Sequence, residues 1–187
     1  SPIFELAQRI SAIPRFADFE VLRVPEIVRA DLSFDLFNFP PDHPARSRSD
    51  TYYVDDENIL RTHTTVMWHY HLSLPEVKEK ISTRQPVGAL SFGKVYRKDE
   101  IDRNHMNVFH QMDGWYLAPK EKENIGIEDL KKVLTEIAQS IFGKDIEHRF
   151  NEDQFPYTDP SIEMEVKVGD RWVEILGSGM VRSVVLK

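Results

Sequence analysis

The order of patterned segments predicts an α+β fold, with helices packed against a largely antiparallel sheet. Two observations carry that expectation. Apolar residues at helical spacing fill residues 3–13 and, more clearly, 127–142. Two long strand-like runs, 87–96 and 107–117, flank a charged stretch, and two further runs, "IEMEVKV" and "RWVEIL", meet at Gly169–Asp170. The resulting order is helix, strands, helix, strands.

Each element has its own warrant. In "IFELAQRISAI", Ile3, Phe4, Ala7, Ile10 and Ile13 share one helical face, and Pro14 ends the run. "FEVLRV", Phe19–Val24, alternates and stops at Pro25, as a strand does. Residues 30–51 are rich in Asp, Pro and Ser, and predict an extended, loop-heavy crossing. "TYYV" and "NILR" predict short strands around a turn at Asp55–Asp56. "TTVMWHYHL" predicts a helix with Thr64 as its N-cap, and residues 73–86 a surface helix and a loop ending at Pro86. After the two long strands, Ile127, Leu130, Val133, Leu134, Ile137, Ala138, Ile141 and Phe142 form one helical face, closed by Gly143 at C′. "DIEHRF" adds a strand before the final hairpin.

The bulk properties narrow the function classes. The 187 residues suffice for one domain with a substantial core, and 41% hydrophobic with 29% charged residues is ordinary for a soluble globular chain. A net charge of -7 argues against broad electrostatic capture of nucleic acid, while leaving room for a local basic patch. The chain has no cysteine, which excludes disulfides, thiolate metal sites and cysteine nucleophiles. No run reaches the length of a membrane span and no secretory leader opens the chain, so a cytoplasmic location is the expectation.

Between the two long strands, Arg97, Lys98, Asp99, Glu100, Asp102, Arg103 and His105 crowd into nine positions, far more charge than a hairpin turn requires. Arg97 ends the first strand. Its planar fork suits phosphate or carboxylate, although residue type alone favours a surface ion pair with Asp99 or Glu100. His63, in "RTHTT", reads equally as a core or capping histidine. Strand period sends Gln111 and Asp113 to one face, where an amide and a carboxylate are expensive to bury without a polar ligand such as an amine. The alternative is a solvated face. Phe155 and Tyr157, stiffened by Pro156 and Pro160, are suited to a pocket wall or to ordinary core packing. His69 and His71 have the wrong spacing for a zinc helix, and neither a G-x-S-x-G elbow nor a P-loop occurs.

Taken together, "DHPARSRSDTYYV", "LRTHTT", "GKVYRKDEIDRNHMNVFHQMDG", "FPYTDPSIEMEV" and "WVEILGSGMV" resemble, in order, the catalytic core of phenylalanyl-tRNA synthetase of the α-subunit type, a class II aminoacyl-tRNA synthetase. The resemblance spans about Asp42 to Val181, and "FEVLRVPEI" looks like motif 1, near residues 19–27, which usually lies at a dimer or subunit interface. It implies one catalytic-core domain over residues 1–187, built on an antiparallel sheet flanked by helices, with motif 2 near 93–114. It further implies ATP and magnesium, phenylalanine or a related amino acid, the tRNA acceptor end, and a second copy or a partner subunit. Arg97 resembles the motif 2 arginine that grips the α-phosphate and the substrate carboxylate. Asp99 stands where the family has an acidic residue near adenine, His105 at the histidine that reaches the phosphates, and Phe109 at the ring on which adenine stacks. His63 and Thr65 match amino-acid-binding positions, Gln111 and Asp113 the pair that holds the amino group, and Phe155 and Tyr157 the clamp on the substrate ring. Asp159 takes the place of a glutamate associated with magnesium.

Several positions depart from the family pattern. Thr65 replaces Ser, Asp113 and Asp159 replace Glu, and Tyr157 replaces Phe. "GSGMVR", Gly177 to Arg182, imitates motif 3, but the preceding "WVEIL" marks it as an earlier family segment with Arg182 in place of histidine. Five residues follow Arg182, too few for the motif 3 helix, so motif 3 is expected to be absent. Two readings result: a synthetase core present as a fragment or split piece, or a paralogue that binds an amino acid, nucleotide or partner protein without charging tRNA.

Overall fold

A computed structural model describes residues 2–98 and 106–186. In chain order the elements are α1 (Pro2–Ser11), β1 (Glu20–Leu22), β2 (Ile27–Arg29), α2 (Ala30–Ser33), β3 (Asn58–Leu60), α3 (Met67–Ser73) and α4 (Pro75–Ser82). There follow β4 (Val87–Tyr96), β5 (Val108–Leu117), α5 (Ile127–Phe142), β6 (His148–Asp153), β7 (Thr158–Val168) and β8 (Arg171–Val181). The fold class is α+β, as the segment order predicts. The chain divides into two compact units, one of residues 18–119 and one of residues 1–17 with 120–187.

In the 18–119 unit, β4 and β5 form a long antiparallel pair from Val87↔Leu117 to Tyr96↔Val108. β1 joins β4 in parallel, an exception to the antiparallel expectation, and is shorter than the predicted Phe19–Val24. Phe19 instead stacks on Tyr116, with ring centroids 5.6 Å apart. β2 and β3 form a separate antiparallel ladder. The turn before β3 is built by Asp55, whose Oδ1 accepts the Glu57 and Asn58 N–H groups at 2.8 and 2.7 Å. "TYYV" does not become a strand, and its one ladder contact is a bridge between Tyr53 and Ile59.

Thr64 does not cap a helix. It opens a 3-10 turn, Thr64–Val66, and α3 begins only at Met67. His63 takes the position before the turn, and the Thr64 N–H and hydroxyl bond to the Gln111 side chain of β5 (2.9 and 3.3 Å). The loop-heavy crossing also has a packed interior, since Phe34 and Phe37 are fully buried alongside Ile59, Val66 and Met67. Trp68 stacks on Trp115 at 5.5 Å, and the Trp115 indole N–H donates to His71 Nδ1 at 3.1 Å.

In the other unit, α5 covers the antiparallel sheet β6-β7-β8. Leu134 and Ala138 pack on Ile162, Met164 and Val166, the inward residues of β7. Asp129 accepts the Gly126 N–H at 3.1 Å and so satisfies the start of α5. Gly143 ends the helix at φ +100°, and Gly169 turns the β7–β8 hairpin at φ +61°, both left-handed positions that favour glycine. α1 stops at Ser11, two residues early, and Pro14 starts a 3-10 turn, Pro14–Phe16, rather than simply ending the helix. β7 and β8 run well beyond the predicted hairpin, with Ser161 opposite Gly179 and Thr158 opposite Val181. "GSGMV" is therefore strand.

Candidate functional site

The β4–β5 register sets Ser91 opposite Asp113, Gly93 opposite Gln111 and Val95 opposite Phe109. Alternation puts Phe109, Gln111 and Asp113 on one face of β5. His110 takes the other face and stacks on Phe92 at 5.6 Å. The Thr64–Thr65 turn lies against the first face, because Gln111 receives Thr64 and the Thr65 hydroxyl donates to Asp113.

Arg97 leaves the end of β4 with two fixed points. Its N–H bonds to the Asn107 carbonyl and its side-chain Nε donates to the Thr62 carbonyl, both at 3.0 Å. The guanidinium carbon stands 5.3 Å from the centre of the Phe109 ring. The cation thus lies next to the aromatic face, and its planar fork suits an anionic ligand.

His63 is buried between aromatic rings, edge-on to Phe37 at 5.3 Å and parallel to Phe39 at 6.3 Å. Its Nε2 lies 3.0 Å from the Ser33 carbonyl, which only accepts, so Nε2 carries the proton. Nδ1 is then a buried acceptor with no partner among the described residues. Burial, and to a lesser degree the nearby Arg97 charge, lower its pKa to about 4, so the ring is neutral at physiological pH. Asp113 moves the other way. Burial raises its carboxyl to about 6, against the opposing pull of the Thr65 hydroxyl and the Gly114 N–H. The residue keeps part of its surface exposed. The Ser91 hydroxyl, across the ladder from Asp113, is buried without a partner among the described residues.

Phe155, Tyr157 and Asp159 belong to the other unit. Their two rings stack at 6.0 Å and 16°. Gly177 of β8 has no room for a Cβ, because the Phe155 ring lies against it. The Asp159 carboxylate lies 3.8 Å from the Arg182 guanidinium and is largely exposed. Arg182 Nε donates to the Thr158 carbonyl at 2.9 Å. Asp99 and His105 lie outside the described residues, as does Glu100, the other acid expected as a partner for Arg97.

The family model for the class II core domain of tRNA synthetases (F) matches residues 1–187. The chain belongs to this family. It is 33% identical over 97% of its length to the phenylalanine–tRNA ligase alpha subunit of Caldicellulosiruptor saccharolyticus, covering 54% of that protein. It is 34% identical over its whole length to the Persephonella marina alpha subunit, covering 54%, so it spans about half the length of these curated relatives. Among solved structures, a pyrrolysyl-tRNA synthetase of Desulfitobacterium hafniense superposes with a TM-score of 0.67 over 98% of this chain and 60% of that one, at 16% identity. That likeness shows the class II synthetase fold. Among the described residues no helix is long and apolar enough to cross a membrane.

Sequence reasoning missed Ser33, whose carbonyl meets His63 Nε2, Thr62, whose carbonyl receives Arg97 Nε, and Arg61, which is buried with its guanidinium on main-chain carbonyls. Arg61 gave a signal, being a charged residue inside the short run "NILRT", which otherwise reads as buried strand.

Proposed function

We propose that this chain is a phenylalanine–tRNA ligase-type catalytic core, which joins ATP and phenylalanine or a related amino acid into an aminoacyl-adenylate and passes the acyl group to tRNA. The observation that carries the reading is Arg97, tied to the Thr62 carbonyl beside Phe109, on the strand pair that presents Gln111 and Asp113. In this reading an amino-acid carboxylate oxygen attacks the α-phosphorus, the bond to the bridging oxygen breaks, and pyrophosphate leaves. Arg97 binds the phosphoryl and carboxylate oxygens and stabilises their charge, while Phe109 supports adenine. Asp113 receives the amine, with Gln111 Oε1, which also accepts from Thr64, next to it on the same strand face, and His63 and Thr65 line the same subsite; the resemblance assigns Phe155 and Tyr157 to the substrate side chain. Asp99 and His105 would reach the nucleotide from the charged loop. No group of three His, Asp or Glu that could hold a metal occurs among the described residues. Exposed Asp159 suits a magnesium ion carried mainly by phosphate oxygens and water, where the ion would neutralise phosphate charge. The relatives' designation as alpha subunits, with Val21 and Ile27 exposed near motif 1, supports a partner subunit or second copy there.

A second reading, a core that binds ligand without charging tRNA, is favoured by the four site substitutions at Thr65, Asp113, Tyr157 and Asp159. ATP–pyrophosphate exchange with a panel of amino acids separates the two. The expected result is phenylalanine-dependent exchange that falls by at least ~100-fold in Arg97→Ala. No exchange with any amino acid, alongside measurable ligand binding, selects the second reading.

A further inference from the structure

Arg61 is the most deeply buried arginine among the described residues, and its guanidinium bonds to main-chain carbonyls. Nε donates to the Lys94 carbonyl at 2.8 Å, and Nη1 to those of Val24 and Pro25 at 2.6 and 3.4 Å. Its own main chain is also held at both ends. Its N–H bonds to the Glu26 carbonyl, and its carbonyl accepts the Tyr96 N–H. The Tyr96 hydroxyl in turn bonds to the Glu26 carboxylate. Gly93 makes space for the guanidinium, since a Cβ at Gly93 would run into Arg61 Nη2. The next residue is Thr62, whose carbonyl receives Arg97 Nε.

We propose that Arg61 is a positioning residue, which clamps residues 24–26 to β4 and thereby holds the Thr62 carbonyl where it orients the Arg97 guanidinium. A cation buried against carbonyls is costly to desolvate, and an apolar side chain would satisfy simple packing. What the guanidinium adds is a rigid three-way junction with planar geometry, which lysine cannot reproduce. The consequence for catalysis rests on the synthetase reading, whereas the positioning of Arg97 does not.

The test follows the Arg97 Nε–H directly by NMR of the chain labelled with 15N-arginine, its signal assigned by loss in Arg97→Lys. In the unaltered chain this proton is expected to exchange slowly. Arg61→Ala should speed its exchange by at least about tenfold, the effect of losing one charge-assisted hydrogen bond. Added guanidinium ion should restore part of the protection. Gly93→Ala, which keeps Arg61 but displaces it, should act in the same direction and decides the matter if Arg61→Ala does not fold. The Trp115 indole signal should stay unchanged in both. An Arg97 proton that is unprotected at the outset, or unaffected in a folded variant, overturns the proposal, as does equal loss at Trp115. ATP titration by calorimetry completes the test. Weakened binding in Arg61→Ala, parallel to Arg97→Ala, supports a catalytic consequence. If the unaltered chain binds no ATP, the synthetase reading fails while the Arg97 signal still decides the role of Arg61.

Discussion

Replacing Asp113 by asparagine should stabilise the protein at neutral pH and do little in acid. The carboxyl titrates at about 6 in the fold because burial disfavours its charge, against about 3.9 in an unfolded chain. A rise of about two units corresponds to roughly 3 kcal/mol if the group were sealed from water. Part of Asp113 is exposed, and solvent screening reduces this to about 1–2 kcal/mol. A carboxyl whose folded pKa is raised stabilises the fold fully below the unfolded pKa and loses that contribution as pH climbs through the folded one. The difference in unfolding free energy between Asp113→Asn and the unaltered chain should therefore grow from near zero at pH 4 to about 1–2 kcal/mol above pH 7. Urea denaturation at several pH values, followed by tryptophan fluorescence, measures it. A difference that does not vary with pH, or a variant less stable above pH 7, would refute the reasoning.

Two other perturbations probe the same architecture. Gln111→Ala removes the acceptor for the part-buried Thr64 N–H and hydroxyl, and should cost about 1–3 kcal/mol in urea denaturation, most of it from the orphaned amide. Met164→Ala opens a cavity under α5 in the middle of β7 and should cost about 2–5 kcal/mol, with a smaller loss for Met164→Leu.

The elements with strong period were legible in the chain. The α5 face, the β4–β5 pair and the turn at Gly169–Asp170 follow from apolar spacing and glycine placement alone. What eluded local reading were long-range decisions. Thr64 has every attribute of a helix cap, yet Gln111, 47 residues away, claims its N–H. Phe34 and Phe37 sit in a stretch whose composition signals loop, and only the fold around them shows that they are core. The site residues were identified through resemblance rather than residue type. Type alone favoured a surface ion pair for Arg97, and left His63 as a core or capping histidine, of which the buried ring makes it the first. Their supports, the carbonyls of Ser33 and Thr62, are main-chain atoms and carry no side-chain signature at all.

Arg61 is held by carbonyls, which do not titrate, and arginine stays charged throughout the physiological range. Mild acid therefore leaves this junction intact, and the orientation of Arg97 with it. Asp113 gains its proton in the same interval. In the proposed synthetase the two ends of an amino-acid zwitterion would then respond unequally to acidification. The grip on the carboxylate and phosphate would persist while the grip on the ammonium relaxed. Acid stress would selectively starve such a core of its amino acid while its hold on the nucleotide endured.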